Sequence, residues 1–300
     1  MADVIEFHRV ELSDRDWVVG MRPLNPYCNC DYSFGNLFSW GHYYNTEIAQ
    51  HKGMMVVRFS NDEGSRGAYL MPIGRGDLRE VLLDMEYTMR QDEHPLTLMA
   101  VQEEALGKLE ALGPESFHTI ANRDNSDYIY YREQLATLSG KRLQSKRNHV
   151  NRFRRSYPDY QYEVIGEENA RECLELEEKW FALSERTDAI REERAMVRTS
   201  LAHFREIGLM GGCIRVDGEI IAFTLGMPIS DHCFGVHIEK ADISYDGSFA
   251  IINQEFARRI PEQYLVVNRE EDLGIPGLRQ AKLSYKPVRL LDKYTVVMAF

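Results

Sequence analysis

The order of elements read from hydrophobic periodicity runs twice through this chain. That repetition constrains the fold more than any single motif does. In the first half, "MMVVRFS" (54–60) reads as a strand, "NDEGSRG" as a turn and "AYLMPIG" (68–74) as a second strand. An amphipathic helix follows over 77–91, with Leu78, Val81, Leu82, Met85 and Met89 at three- and four-residue spacing. A short strand (96–101) and a helix (103–113) come next, and "FHTIAN" and "DYIYYRE" read as closing strands. The second half opens with helices over about 167–184 and 189–207. A hairpin over 211–229 then turns at Asp217-Gly218, the strongest hairpin signal in the chain. After it come a strand (232–242), a loop, a helix (249–260), a strand (264–268), a loop with a short helix (269–285) and a last strand (293–300).

Each half thus reads as antiparallel strands feeding a strand, a helix, a strand and a helix. This predicts an α+β fold with mixed, mostly antiparallel sheets flanked by helices, not a doubly wound parallel sheet. The length of 300 residues suits two domains. The expected division is 1–137, a basic connecting helix over 138–158, and 159–300.

Composition excludes several classes. No stretch approaches the roughly 18 apolar residues of a membrane span. The N-terminus lacks the basic and apolar regions of a signal peptide. The five cysteines are scattered, and the spacing of Cys28 and Cys30 is not that of a zinc site, so reduced thiols and a cytoplasmic location are expected. There is no phosphate loop of the GxxxxGK[ST] type, no HExxH and no GxSxG, and the histidines form no HxH or HxxxH pair; no metal is expected.

Three segments concentrate chemistry. The first is "GKRLQSKRNHVNRFRRSYPDY", beginning at Gly140. Seven Lys/Arg lie between Lys141 and Arg155 in a chain of net charge −11. As a helix it has a narrow apolar stripe of Leu143, Val150, Phe153 and Tyr157. Its cations either pair with the acidic helix over 167–178 or meet a phosphate-rich ligand. The second is "GVHIEKAD" followed by "SYDGSFAIIN". Here His237 and Glu239, two apart on a strand, are expected on one face as a base and its partner. Gly247 and Ser248 open a helix whose N-terminal amides suit an anion. The alternative is an ordinary polar sheet face. The third is "VNREEDLGIPGLRQAKLSYKP" (267–287), where Asn268, Glu270 and Asp272 follow an apolar strand and Arg279 and Lys282 share a helix face. It reads either as a transfer site or as a structural salt-bridge network.

Together with "DYSFGNLFSW" (31–40), these segments resemble a bacterial family related to the C-terminal catalytic domain of phosphatidylglycerol lysyltransferase. That resemblance implies two tandem acyltransferase folds of the GNAT type, akin to Fem-type aminoacyltransferases. It implies transfer of an aminoacyl group from aminoacyl-tRNA to a hydroxyl or amine acceptor, a lipid headgroup among them. Lys282 and Pro287 match the family's C-terminal Lys and Pro, whereas Ser284 stands where its second lysine would be. The acetyl-CoA loop is represented only by "YDGSFA", with Asp246 where a pyrophosphate would lie. On this reading no cofactor is needed. An acyl-CoA-dependent N-acetyltransferase and a non-catalytic tRNA- or phosphate-binding module remain the alternatives. The roles expected for direct acyl transfer are Glu239 or Asp272 as base, with His237 as a partner, Lys282 with Arg279 at the oxyanion, and Tyr285 as proton relay. Arg142, Lys146, Arg147, Asn148, Gly247, Ser248, Asn253 and Asn268 would bind substrate or phosphate.

Overall fold

A computed structural model describes residues 2–60, 67–91, 94–183 and 187–300. The turn read at "NDEGSRG" lies almost wholly outside these residues. The strands are β1 (His8–Arg9), β2 (Glu47–His51), β3 (Met54–Phe59), β4 (Ala68–Leu70), β5 (Ile73–Gly74), β6 (Leu96–Gln102), β7 (Ser116–Ala121) and β8 (Asp127–Tyr131). They continue with β9 (Gln161–Val164), β10 (Met210–Val216), β11 (Glu219–Pro228), β12 (Cys233–Ala241), β13 (Val266–Asn268), β14 (Arg289–Leu291) and β15 (Lys293–Ala299).

Two sheets form, and they have the same plan. The first runs β1-β2-β3-β4-β6-β15-β7, with β5 on β3, and the second runs β9-β10-β11-β12-β13-β8-β14. In each, an antiparallel meander ends in a parallel pair, β4 with β6 and β12 with β13. A helix crosses over between the paired strands, Leu78–Gln91 in the first half and Ser248–Ala257 in the second. These are the two α+β half-repeats expected from sequence.

The closing strands are exchanged. β8 leaves the first half to sit between β13 and β14, and β15 returns from the C-terminus to sit between β6 and β7. Divisions at 137 and 159 therefore separate stretches of chain and not sheets. A strand's periodicity reveals which residues face inward but not which neighbour it joins, so the exchange could not be read from the sequence.

Local chemistry accounts for the elements. Val81, Leu82, Met85 and Met89 on the first crossover helix are all at most 1% exposed, under the first sheet. Burying each such side chain contributes about 1.5–3 kcal/mol. Asp217 and Gly218 both take positive φ, 49° and 88°, which is the primed turn that matches strand twist. The second crossover helix is buried on nearly every side, only Phe249 being exposed. It lies between its sheet and the basic helix Gln144–Ser156, which docks through Leu143, Val150 and Phe153 as its stripe predicted. Among the described residues no helix is long and apolar enough to cross a membrane.

The two exchanged strands begin side by side. Lys293, first in β15, places Nζ 2.8 Å from Oδ1 of Asp127, first in β8. The same ammonium lies 3.1 Å from Glu271 and 3.4 Å from Asp31. Next to this group, Ser126 Oγ donates to Asp292 at 2.8 Å. Burial opposes a charge on Lys293, yet Asp127, Asp31 and Glu271 hold the ammonium well above the usual lysine value. Cys30, Asp127 and Glu271 also bring donor atoms within 4.8 Å of one another. The Lys293 ammonium already serves as counter-ion there, so the group is an ion-pair network. Replacing Lys293 by Met leaves the buried Asp127 carboxylate uncompensated, and urea unfolding should show a loss of about 3–5 kcal/mol. A loss below about 1 kcal/mol, the range of an exposed pair, would contradict this assignment.

Candidate active site

β12 is not regular. Leu225 on β11 faces Ile238, but the next residue, Gly226, faces Val236, so His237 is an extra residue without an opposite number. A bulge of this kind breaks the strict alternation of faces, so residues two apart across it no longer point the same way. The expectation that His237 and Glu239 share a face therefore fails. His237 turns toward Asn36 and Glu270, while Glu239 turns toward Asn253 of the second crossover helix.

The parallel partner of β12 also departs. β12 and β13 pair only from Cys233↔Val266 to Gly235↔Asn268. Beyond that point Arg269 and Glu270 stay bonded to the backbone of Tyr128 in β8, and β12 runs on to Ala241 without them. A slot opens between the two segments. Arg269 reaches across it on one face to Glu239, at 2.7 Å, and Glu270 reaches across on the other to His237, at 2.8 Å.

On the His237 face, one Glu270 oxygen accepts from His237 Nδ1 and, at 2.9 Å, from Asn36 Nδ2. An ionised carboxylate can only accept, so in the neutral imidazole the proton sits on Nδ1 and the lone pair on Nε2. That Nε2 is buried and has no partner among the described residues. Two glycines flank its edges. A Cβ on Gly235 would come within 2.7 Å of Cε1, and one on Gly35 within 3.6 Å of Cδ2. Glu270 sits at φ 58°, a left-handed conformation that side-chain-bearing residues seldom adopt. Its N–H donates to Asn268 Oδ1 at 2.7 Å, and the carbonyls on either side of it, of Arg269 and Glu271, both accept from Lys282 Nζ.

On the other face, Glu239 accepts from Arg269 and, at 3.1 Å, from Asn253. The Arg269 guanidinium lies 4.8 Å from the Tyr285 ring centroid and 5.7 Å from that of Tyr130. Lys146 of the basic helix lies 4.3 Å from the Tyr285 centroid. Burial, and then the charge of Arg269, push the Lys146 amine below its usual value. Arg269 Nη1 and Asn253 Oδ1 are buried without partners among the described residues.

Several expected site residues are committed elsewhere. Asp272 is buried against Tyr128, Arg123, Arg279 and the N–H of Gly274. Hydrogen bonding from Arg279 holds its carboxyl far below the usual carboxylate range, which makes it a poor base. Arg279 joins Asp272 to Asp124, so this part of the third segment is the salt-bridge network. Lys282, the one buried residue of its helix, points at carbonyls, and burial lowers its pKa. It holds the Glu270 loop and is not free for an oxyanion. Asn268 is fully buried, donating to the Cys28 carbonyl at 2.6 Å and to Asp127 at 2.7 Å. Tyr285 is a buried platform under Arg269 and Lys146.

The basic helix covers the loop where an acyl-CoA pyrophosphate was considered. A Cβ on Gly247 would lie 2.8 Å from the His149 carbonyl oxygen. Asp246 pairs with Arg152 at 2.6 Å, the Ser248 N–H donates to Tyr245, and its hydroxyl to the Asp242 carbonyl. Arg147 clasps the carbonyls of Leu138 and Gly140. Arg154 pairs with Glu255, whereas the acidic helix spends Glu167, Glu172 and Glu178 on Arg205, Arg215 and Arg198. Lys141, Arg142, Asn148 and Arg155 are exposed. Of the two readings of its charge, pairing of the basic helix with the acidic helix is therefore absent among the described residues. Arg269, Asn36, Gly35, Asp127 and Lys293 gave no sequence signal of their own, though Gly35 and Asn36 lie in "DYSFGNLFSW".

Two meanders, each with a helical crossover between the strands of a parallel pair, make up a tandem GNAT-like fold. The model of the family described as phosphatidylglycerol lysyltransferase, C-terminal, matches residues 23–297, and the chain belongs to that family. A protein of unknown function from Bacteroides thetaiotaomicron is 45% identical, with a TM-score of 0.95 over 98% of this chain and 100% of that one. L-PGS from Bacillus licheniformis shares the fold at 16% identity, with a TM-score of 0.65 over 95% of this chain and 91% of that one. An uncharacterised Mycoplasmoides gallisepticum protein is 26% identical over 178 residues, which are 59% of this chain and 58% of that relative's length.

The depressed pKa of Asp272 fixes the sign of a pH effect. A carboxyl lowered on folding adds stability that is fully present above its unfolded value, about 3.9, and is lost as pH falls toward the folded value. The stability difference between wild type and Asp272→Asn in urea should shrink steadily below about pH 4. A constant difference down to the acid limit of folding would refute the ionised, Arg279-held state.

Proposed function

We propose that this chain is an aminoacyltransferase that moves an aminoacyl group from aminoacyl-tRNA to a hydroxyl or amine acceptor, with His237 as the general base. The observation that carries this reading is the unpartnered Nε2 of His237, with Gly235 leaving room at the Cε1 edge of the ring and Glu270 orienting it from Nδ1. Family membership supports a transferase.

In this reading the acyl ester enters the slot from the basic-helix side, with the acceptor on the His237 side. The acceptor oxygen or nitrogen attacks the ester carbonyl carbon, and its proton passes to His237 Nε2. The carbonyl–oxygen bond to the tRNA ribose breaks, and the departing ribose oxygen takes the proton back from the imidazolium. Glu270 keeps the ring in the needed tautomer and offsets its transient charge. Arg269 Nη1, buried without a partner among the described residues, is the donor this reading gives to the oxyanion. Glu239 and Asn253 Oδ1 suit the ammonium of an aminoacyl group. Lys141, Arg142, Lys146 and Arg155 meet the donor's phosphates. The acyl-CoA reading is weaker because His149 and Arg152 take up the space and charge of its pyrophosphate loop. The family name makes lysyl-tRNA and phosphatidylglycerol the first donor and acceptor to try.

Single-turnover transfer from a pool of charged tRNAs to phosphatidylglycerol vesicles and to small amines tests the reading. Wild type should form product. His237→Gln should be slower by about two to four orders of magnitude, the usual worth of a general base. Arg142→Glu should weaken tRNA binding with a shallower salt dependence. Near-normal turnover by His237→Gln would sink the base assignment, and absence of transfer by wild type with any charged tRNA would favour the binding-module alternative.

A further inference from the structure

A second reactive cluster lies at the other end of β12. Cys28 is partly exposed, and its Sγ lies 3.5 Å from Nε2 of His232. The other ring nitrogen of His232 lies 3.3 Å from Ser230 Oγ, which fixes the ring. Cys233, wholly buried, places its thiol 3.9 Å from the Cys28 carbonyl, and the Cys28 side chain packs against the small buried cluster that Cys233 forms with Cys30 and Ile229. Two thiols and an imidazole are thus in mutual reach, although Cys28 and Cys233 are 205 residues apart.

We propose that Cys28 and Cys233 form a peroxide-sensitive dithiol, with Cys28 as the attacking sulfur, His232 as its proton acceptor and Cys233 as the resolving thiol. The Cys28 thiolate attacks one oxygen of a hydroperoxide and the O–O bond breaks. The departing oxygen takes the proton held by His232, leaving Cys28 as a sulfenic acid. The Cys233 sulfur then attacks the Cys28 sulfur, and the S–O bond breaks as water leaves with the Cys233 proton. Two thiols become one disulfide, and hydrogen peroxide becomes two waters.

The charges around the pair favour this division of labour. The Cys233 thiol beside it lowers the Cys28 pKa most, burial opposes it, Arg289 lowers it further, and Glu104 and Asp127 raise it, with a net downward shift. Burial pushes Cys233 well above the usual thiol value, so it remains the protonated partner. Cys30 is buried and raised in the same way. Cys173 and Cys213, fully buried, serve as an internal control. The Cys28 peptide also carries the carbonyl that receives Asn268, which in turn holds the N–H of Glu270. A disulfide at Cys28 therefore bears on the His237–Glu270 pair; this consequence alone rests on the proposed function.

The test is non-reducing peptide mapping of the full chain after exposure to dilute hydrogen peroxide and quenching with an alkylating agent. The expected product is a Cys28–Cys233 crosslink within one chain, reversed by dithiothreitol, with Cys30, Cys173 and Cys213 still thiols. Cys233→Ser should stop at a Cys28 sulfenic acid that dimedone traps. His232→Gln should slow the crosslink about tenfold near neutral pH, as thiolate supply falls. Should Cys233→Ser fail to fold, Cys28→Ser gives the complementary readout, with Cys233 unmodified by peroxide. Crosslinking of any other pair first, oxidation of Cys28 no faster than Cys30, or modification of Cys233 in Cys28→Ser would overturn the proposal. These readouts do not require acyl transfer, so their failure and that of the proposed function can be told apart.

Discussion

The ion pair between Lys293 and Asp127 is the contact on which the rest of the molecule depends. It joins the first residues of the two exchanged strands, β15 and β8. Each sheet is completed by a strand from the other half, so this pair sits where the two halves interlock. An unpaired lysine or aspartate there would carry the full desolvation cost of a buried charge. Together they set the start of both strands, and Glu271, reaching the same ammonium, ties in the loop that carries Glu270. Fold and candidate site thus share one electrostatic anchor.

From that anchor the slot follows. Strand β8 keeps Arg269 and Glu270 on its own side through backbone hydrogen bonds, while β12 continues without them. The two residues then stand back to back, a cation facing Glu239 and an anion facing His237. The bulge at His237 makes this possible, because a regular strand would place both β12 partners on one face. Lys282 keeps the arrangement fixed by drawing in the carbonyls on both sides of Glu270.

Much of the architecture was legible in the sequence, and the reasons differ by element. The stripe of Val81, Leu82, Met85 and Met89 and the Asp217-Gly218 turn are local signals, and both formed as read. The docking stripe of the basic helix was legible for the same reason. Strand exchange was not, because pairing partners are set by distant segments. His237 and Glu239 were singled out, but their relative direction depended on a one-residue register shift that spacing does not encode. Asp272, Arg279 and Lys282 have the right chemistry for a site, but each is saturated by near neighbours that spacing does not reveal. In the sequence Arg269, beside two glutamates, reads as an ordinary surface residue, whereas in the fold it is enclosed by Tyr130, Tyr285 and Glu239.

The central claim is that Glu270 fixes His237 with the proton on Nδ1 and a free lone pair on Nε2. Long-range nitrogen–proton NMR correlation of the imidazole, on protein labelled with ¹⁵N-histidine, reads that tautomer directly. The account predicts a proton on Nδ1 and a bare Nε2 for the neutral His237 imidazole, and loss of that preference in Glu270→Ala. A proton on Nε2 with a bare Nδ1 in the wild-type protein would contradict it.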